Sequence, residues 1–139
     1  MRAALACVLA LAVGLAAVAQ RGGAYGAFAN APYSEASDFV DMLAAGTFYQ
    51  ASQHAAECAR KTLSRGALEA NWLDLLERYG RFQGRAGTGA DLDGDQWRVH
   101  VLCTFDKGRV DVVVSFSTYQ DEGLVTAASF VHVKNGELR

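Results

Sequence analysis

The chain is poor in several residue types whose abundance marks a structural class. Its 139 residues include one proline and three cysteines, and charged residues make up 20% of the total. So little proline excludes a collagen-like chain, so few cysteines exclude a small disulfide scaffold, and so little charge excludes a disordered chain. The net charge of −2 argues against nucleic-acid binding, which requires a basic surface.

Apolar residues, by contrast, make up 51% of the chain, which is enough to form a hydrophobic core. Domains usually have about 100–200 residues, so the length predicts one domain with short terminal segments. We assign this single α+β domain to residues 34–133 and a C-terminal tail to residues 134–139.

The first 19 residues predict a signal peptide. Arg2 precedes an uncharged run of sixteen residues from Ala3 to Val18, and Ala17-Val18-Ala19 has the small residues that signal peptidase prefers. The protein is therefore expected in the periplasm or outside the cell. The alternative is an N-terminal membrane anchor, although the run is shorter than the ~20 apolar residues that a span requires. Residues 20–33 contain many Gly and Ala residues and predict a flexible linker.

Three helices are predicted between residues 34 and 80. The first begins at Ser34 as N-cap and ends at Gly46, the second follows Thr47, and the third runs from Ser64 to Gly80. Apolar residues recur at helical spacing in all three. They are Ala36, Phe39, Val40 and Leu43 in the first, Phe48, Ala51, Ala55 and Cys58 or Ala59 in the second, and Leu68, Trp72, Leu75, Leu76 and Tyr79 in the third.

From Phe82 onward the apolar period changes to two, which predicts strands. We expect a weak strand over 82–90, a turn over 91–95, a strand over 97–105 and a last strand over 124–133. A hairpin turn at Lys107-Gly108 would pair Phe105 with Val110. The predicted fold class is α+β, with three N-terminal helices packed on one face of a three- to four-stranded antiparallel sheet. Its expected core anchors are Trp72, Trp97, Phe105 and Phe116.

Three stretches resemble a known family. They are Phe39-Val40-Asp41-Met42-Leu43-Ala44-Ala45-Gly46-Thr47-Phe48, then Leu63-Ser64 with Leu68, Trp72 and Tyr79-Gly80-Arg81-Phe82, then Cys103-Thr104-Phe105-Asp106-Lys107-Gly108 with Val110, Val112 and Val114. Over Ser34 to Val131 the chain resembles domain of unknown function 3887, a small bacterial group with a cone-shaped fold like that of nuclear transport factor two. The resemblance implies an exported module of that fold and implies no reaction, because the family has none assigned.

No motif predicts a metal or cofactor site. Asp91, Asp93 and Asp95 suggest calcium, but Gln96 and Leu102 stand where a calcium-binding EF-hand loop needs Gly and Glu, so a solvated hairpin loop is the better interpretation. His54, His100 and His132 do not stand at metal-ligand spacing. In the predicted register His100 and Asp111 lie about 13 Å apart along the strands, which rejects a catalytic dyad.

The two cysteines that follow the predicted signal peptide, Cys58 and Cys103, allow two interpretations. An even number of cysteines in an oxidising compartment favours a disulfide, provided that the Cα atoms lie within about 7 Å of each other. The alternative is two buried free thiols that pack as small apolar residues.

These observations favour an exported accessory module that is not catalytic and needs no cofactor. Its expected partner is a small apolar ligand, held in a cleft between sheet and helices, or a protein of the cell envelope, and not nucleic acid. The first alternative is an enzyme of the cone-fold type, such as an isomerase or dehydratase. The second is a self-associating domain that dimerises through the sheet face of Leu102, Val113 and Phe130.

Overall fold

The computed structural model describes residues 30–119 and 123–134. The predicted signal peptide, most of the predicted linker and the end of the predicted tail lie outside this part of the chain. Within it, no helix is long and apolar enough to cross a membrane.

The helical half begins two residues earlier than predicted. Helix α1 spans Tyr33–Ala44 with Pro32 as its N-cap residue, so Ser34 lies inside the helix and is not its cap. The start is favoured by Pro32, whose fixed φ suits the first turn, and the Tyr33 side chain packs against the core. Helix α1 ends before Gly46, whose φ of 78° is unfavourable for a residue with a side chain.

The predicted second helix is shorter than expected. Helix α2 spans Phe48–Gln53, and a separate 3₁₀ turn spans Glu57–Ala59. The chain between them leaves the helix because the Ala56 N–H donates to Val125 O, 2.8 Å away on the sheet. Helix α3 spans Arg65–Tyr79, with the Ser64 side chain accepting a hydrogen bond from the Ala67 N–H at its start.

Four strands follow and form one antiparallel sheet in the order β1-β2-β3-β4. They are β1 (Phe82–Asp93), β2 (Gln96–Phe105), β3 (Gly108–Ser117) and β4 (Val125–Val133). The predicted turn over 91–95 is wrong in extent, because β1 continues through Asp93 and only two residues separate it from β2. Gly94 permits this tight turn with a φ of 63°.

The register of the β2–β3 hairpin differs from the prediction by two residues. Phe105 pairs with Gly108, not with Val110, and Cys103 pairs with Val110. The turn is formed by Asp106 and Lys107, whose backbone N–H groups donate to Arg81 O at 3.0 Å and Tyr79 O at 2.8 Å. Both registers put apolar residues opposite each other, so these tertiary bonds select between them.

The helices and the inward face of the sheet share one core. Trp72, Phe105 and Phe116 are buried, and Trp97 is half-buried against the same core. The Trp72 ring lies 5.6 Å from Phe82 and 5.6 Å from Phe105 between ring centroids. The structure is therefore α+β, with a four-stranded antiparallel sheet covered on one face by helices.

The other face of the sheet carries no helix of the described chain, and we call it the open face. It includes Asp91, Arg98, His100, Leu102, Asp111, Val113 and Val131. Towards the turn between β1 and β2 the same face carries Asp93, Gln96, Ser115 and Ser117, which are buried. Phe130 does not belong to it, contrary to the prediction, because Phe130 pairs with the buried Val112 and packs against the core.

Of the two interpretations of Cys58 and Cys103, the disulfide between them is not formed, since Cys103 is a buried free thiol. Cys58 lies in the 3₁₀ turn, two residues after Ala56, which is bonded to Val125 at the start of β4. Val125 pairs with Phe116, whereas Cys103 pairs with Val110, six residues away along β3. Six residues of strand span about 20 Å, far more than a disulfide can bridge.

Candidate functional site

A cluster of charged side chains occupies the open face. Asp91 on β1 is paired with Arg98 on β2, and Asp111 on β3 is paired with Leu102, two residues after His100. Side chains on directly paired residues, and on residues two apart in a strand, point to the same side of a sheet. His100 therefore lies between carboxylates from both neighbouring strands.

The imidazole of His100 contacts both carboxylates. Its Nδ1 lies 2.8 Å from Asp111 Oδ2, and its Nε2 lies 3.0 Å from Asp91 Oδ2. An ionised carboxylate only accepts hydrogen bonds, so each ring nitrogen must carry a proton. The geometry thus describes an imidazolium held between two carboxylates.

The prediction that His100 and Asp111 are too far apart to contact each other is wrong. The predicted register, which places Asp111 about 13 Å from His100, differs from the actual register by two residues. In the actual register Asp111 is the diagonal neighbour of His100, within reach of a long side chain.

The electrostatics of the cluster agree with this protonation state. Hydrogen bonds to Asp111 and then to Asp91 raise the pKa of His100 to about 9, against the opposing effect of burial. For Asp91, burial acts to raise the pKa, but the hydrogen bonds from His100 and Arg98 together outweigh it and lower the pKa. Arg98 Nε lies 2.8 Å from Asp91 Oδ1, and the second carboxylate near Arg98 is Asp93, 3.8 Å away.

The three aspartates that the sequence assigns to a hairpin loop do not all lie in a loop. Asp91 and Asp93 belong to β1, and Asp93 is buried, so the interpretation as a solvated loop is wrong for both. In the part of the chain that the structure describes, no three acidic, His or Cys side chains are arranged to hold a metal ion. One buried carboxylate oxygen on Asp93 and one on Asp111 have no hydrogen-bond partner among the described residues, so acceptors outnumber donors in this part of the cluster.

His100 is not placed to act as a general base. A general base needs a free lone pair on the ring at the working pH, and both His100 nitrogens lie within hydrogen-bond distance of carboxylates. The other two histidines lie elsewhere: His54 is exposed after α2, and His132 stacks on Tyr79 with ring centroids 5.1 Å apart.

Apolar side chains lie beside the charged cluster on the open face. Leu102 and Val113 are half-buried, and Val131 on the edge strand β4 is 49% exposed. Leu102 and Asp111 are direct partners, as are Asp111 and Val131, so apolar and charged groups share one continuous surface.

Of the clefts formed by the described residues, two on the helical side are large enough to consider. The larger, of about 550 Å³, is lined by Tyr49, Ser52, Gln53, Ala55, Arg60, Ser64 and Arg65. The smaller, of about 370 Å³, lies between α3 and β4 and is lined by Asn71, Asp74, Leu75, Arg78, Tyr79, Phe130 and His132. Polar and charged side chains predominate in both, so neither is the apolar cleft that the sequence predicted.

Comparison of the chain with models of protein families, with curated proteins and with solved structures gives no match.

Proposed function

We propose that the chain is an exported, non-catalytic binding module that associates with a second copy of itself through the open face. One observation carries the proposal: on this face Asp91, Arg98, His100 and Asp111 are paired with one another. Beside them, Val131 is exposed and Leu102 and Val113 are half-buried. Charges that already have partners lose less on burial than isolated ones, and the apolar side chains gain from leaving water.

The state of His100 supports binding over catalysis. An enzyme of the cone-fold type would need an acid or base aimed at a substrate, and His100 has both ring nitrogens directed at carboxylates. The polar lining of the two clefts is also a poor fit to a small apolar ligand.

A second copy is the occupant that we favour for the open face. In a two-fold dimer each patch meets an identical patch, so the surface has to complement itself. Asp91, His100 and Asp111 lie side by side on three neighbouring strands, so negative, positive and negative groups alternate across the sheet. When a second copy is inverted against this face, its positive groups can lie beside the negative groups of the first. A cell-envelope protein is the alternative occupant.

Two finer assignments belong to the same proposal. Three helices followed by an antiparallel meander support the cone-shaped fold related to nuclear transport factor two, and with it a place in the family of domain of unknown function 3887. The apolar run from Ala3 to Val18 with Ala17-Val18-Ala19 supports export. N-terminal sequencing of the secreted protein should begin at or near Gln20, and a terminus at Met1 in the cytosol would contradict export.

Introducing a charge on the open face tests the self-association. Val131→Asp places a carboxylate beside Asp111, its direct partner on β3, and should convert the wild-type dimer to a monomer at the same concentration. The matched control is Leu73→Asp, since Leu73 is 51% exposed on the helical side, and it should stay dimeric. Light scattering on a size-exclusion column gives the molar masses.

Two results would overturn the proposal. The first is a wild-type protein that is monomeric at about 100 µM, a concentration at which a micromolar interface is occupied. The second is turnover of a substrate that disappears in His100→Gln while the fold is retained, because this would make the cluster an active site.

A further inference from the structure

The larger cleft is formed by a short stretch of chain in the helical layer. Tyr49, Ser52 and Gln53 come from α2, Arg60 follows the 3₁₀ turn, and Ser64 and Arg65 stand at the start of α3. Its volume of about 550 Å³ is within the usual range of small-molecule sites, about 300–1,000 Å³. The cleft is on the helical side of the sheet, away from the open face.

The charged side chains that line the cleft are positive. Two guanidinium groups, those of Arg60 and Arg65, line it, and no carboxylate of the described residues does. Most of the other arginines that the structure describes are paired with aspartates, as in the contacts of Arg78, Arg81, Arg85 and Arg98. Arg60 and Arg65 form no ion pair with any described residue, so their donors are available to an anion.

The neutral groups of the cleft can bind hydroxyl groups. The Ser64 hydroxyl oxygen accepts from Ala67 N–H and keeps its own proton to donate, whereas the Ser52 hydroxyl donates to Tyr49 O and keeps its lone pairs. The Tyr49 side chain adds a flat ring that is 63% exposed. Aromatic rings with a polar tip are favoured where a ligand has both apolar and polar surface.

We propose that this cleft binds a small hydroxylated organic anion, in which a carboxylate or phosphate group meets Arg60 and Arg65 and hydroxyl groups meet the serines. Planar guanidinium groups form paired hydrogen bonds with both kinds of oxyanion. A sugar acid and a sugar phosphate share this chemistry. The proposal is independent of self-association, since no residue of the open face takes part.

The test is a calorimetric titration of the purified protein at low salt with glucuronate, glucose 6-phosphate and glucose. We expect at least one of the two anions to bind and neutral glucose not to bind, and the preferred anion identifies the group that the arginines recognise. Arg60→Gln and Arg65→Gln should each weaken binding about tenfold or more, because each removes charge-assisted hydrogen bonds.

Lys61→Gln is the matched control. Lys61 adjoins Arg60, is exposed and does not line the cleft, so its removal changes the net charge equally and should alter affinity less than twofold. Nuclear magnetic resonance spectra of each variant check the fold. Equal binding of glucose, an equal loss in Lys61→Gln, or no binding of either anion up to about 10 mM would overturn the proposal.

Discussion

The charge on His100 depends on two side chains that are distant in the sequence and adjacent in the sheet. Neither Asp91 nor Asp111 is within eight residues of His100, so no motif search finds the group. The sequence does contain one signal of this surface, which is the alternation of polar and apolar residues along β2. It puts Arg98 and His100 on the side opposite Val99 and Val101. That alternation predicts a polar face on β2. Only the correct pairing of the strands shows that Asp91 and Asp111 lie beside His100 on this face.

His100 should titrate far above an ordinary histidine. The hydrogen bond to Asp111, followed by that to Asp91, raises its pKa to about 9, so at pH 7.5 both ring nitrogens should be protonated. Nitrogen-15 spectra of the imidazole over pH 5–10 measure this. Asp111→Asn should lower the pKa, whereas a wild-type value near 6.5 would contradict the contacts.

The same shift gives stability a defined pH dependence. The pKa of His100 is higher in the folded protein, about 9, than in the unfolded chain, about 6.5. Protonation of His100 therefore contributes fully to stability just below pH 6.5, where its carboxylate partners are ionised, and this contribution is lost as the pH rises towards 9. The difference in unfolding midpoint between wild type and His100→Gln should shrink across this interval. A difference that stays constant would contradict the linkage.

Cys103 should be unreactive in the folded protein. Burial raises the pKa of its thiol to about 12, and the thiolate is the form that reacts with alkylating agents. We expect no modification of Cys103 by iodoacetamide at pH 8 in buffer and complete modification in denaturant, as measured by peptide mass mapping. Rapid labelling of the native protein would show that the core face of β2 is accessible.

Among the elements, the helices were easier to predict than the hairpins. The third helix was predicted from Ser64 to Gly80 and spans Arg65–Tyr79, because a capping serine, a glycine stop and a regular apolar face agree on its bounds. No such set of signals fixes the position of the β2–β3 turn. A turn at Asp106-Lys107 and a turn at Lys107-Gly108 both place apolar residues of the two strands opposite each other. The backbone bonds to Tyr79 and Arg81 that decide it are tertiary contacts and cannot be read from local sequence.

Helix α3 is fixed to the sheet by Trp72. Its ring is 2% exposed and lies against Phe82 and Phe105. Trp72→Ala should cost about 3–5 kcal/mol of unfolding free energy, since it removes a large buried side chain and leaves a cavity. Leu73→Ala, at an exposed site on the same helix, should cost less than about 1 kcal/mol in the same denaturant titration. A loss below about 1 kcal/mol for Trp72→Ala would contradict the core assignment.

At the level of the whole molecule, the order of helices before strands predicted the α+β architecture. The open face was harder to interpret, because its apolar residues belong to three different strands. Leu102, Val113 and Val131 become one surface only when β2, β3 and β4 are paired in the observed register.

Contact between two open faces is tested most directly by isotope-filtered nuclear Overhauser spectroscopy on an equal mixture of labelled and unlabelled protein. Cross-peaks between copies should come from the methyl groups of Leu102, Val113 and Val131, and none should come from Leu73 on the helical side. The absence of cross-peaks between copies at these three residues, or their appearance at Leu73 alone, would contradict the proposed interface.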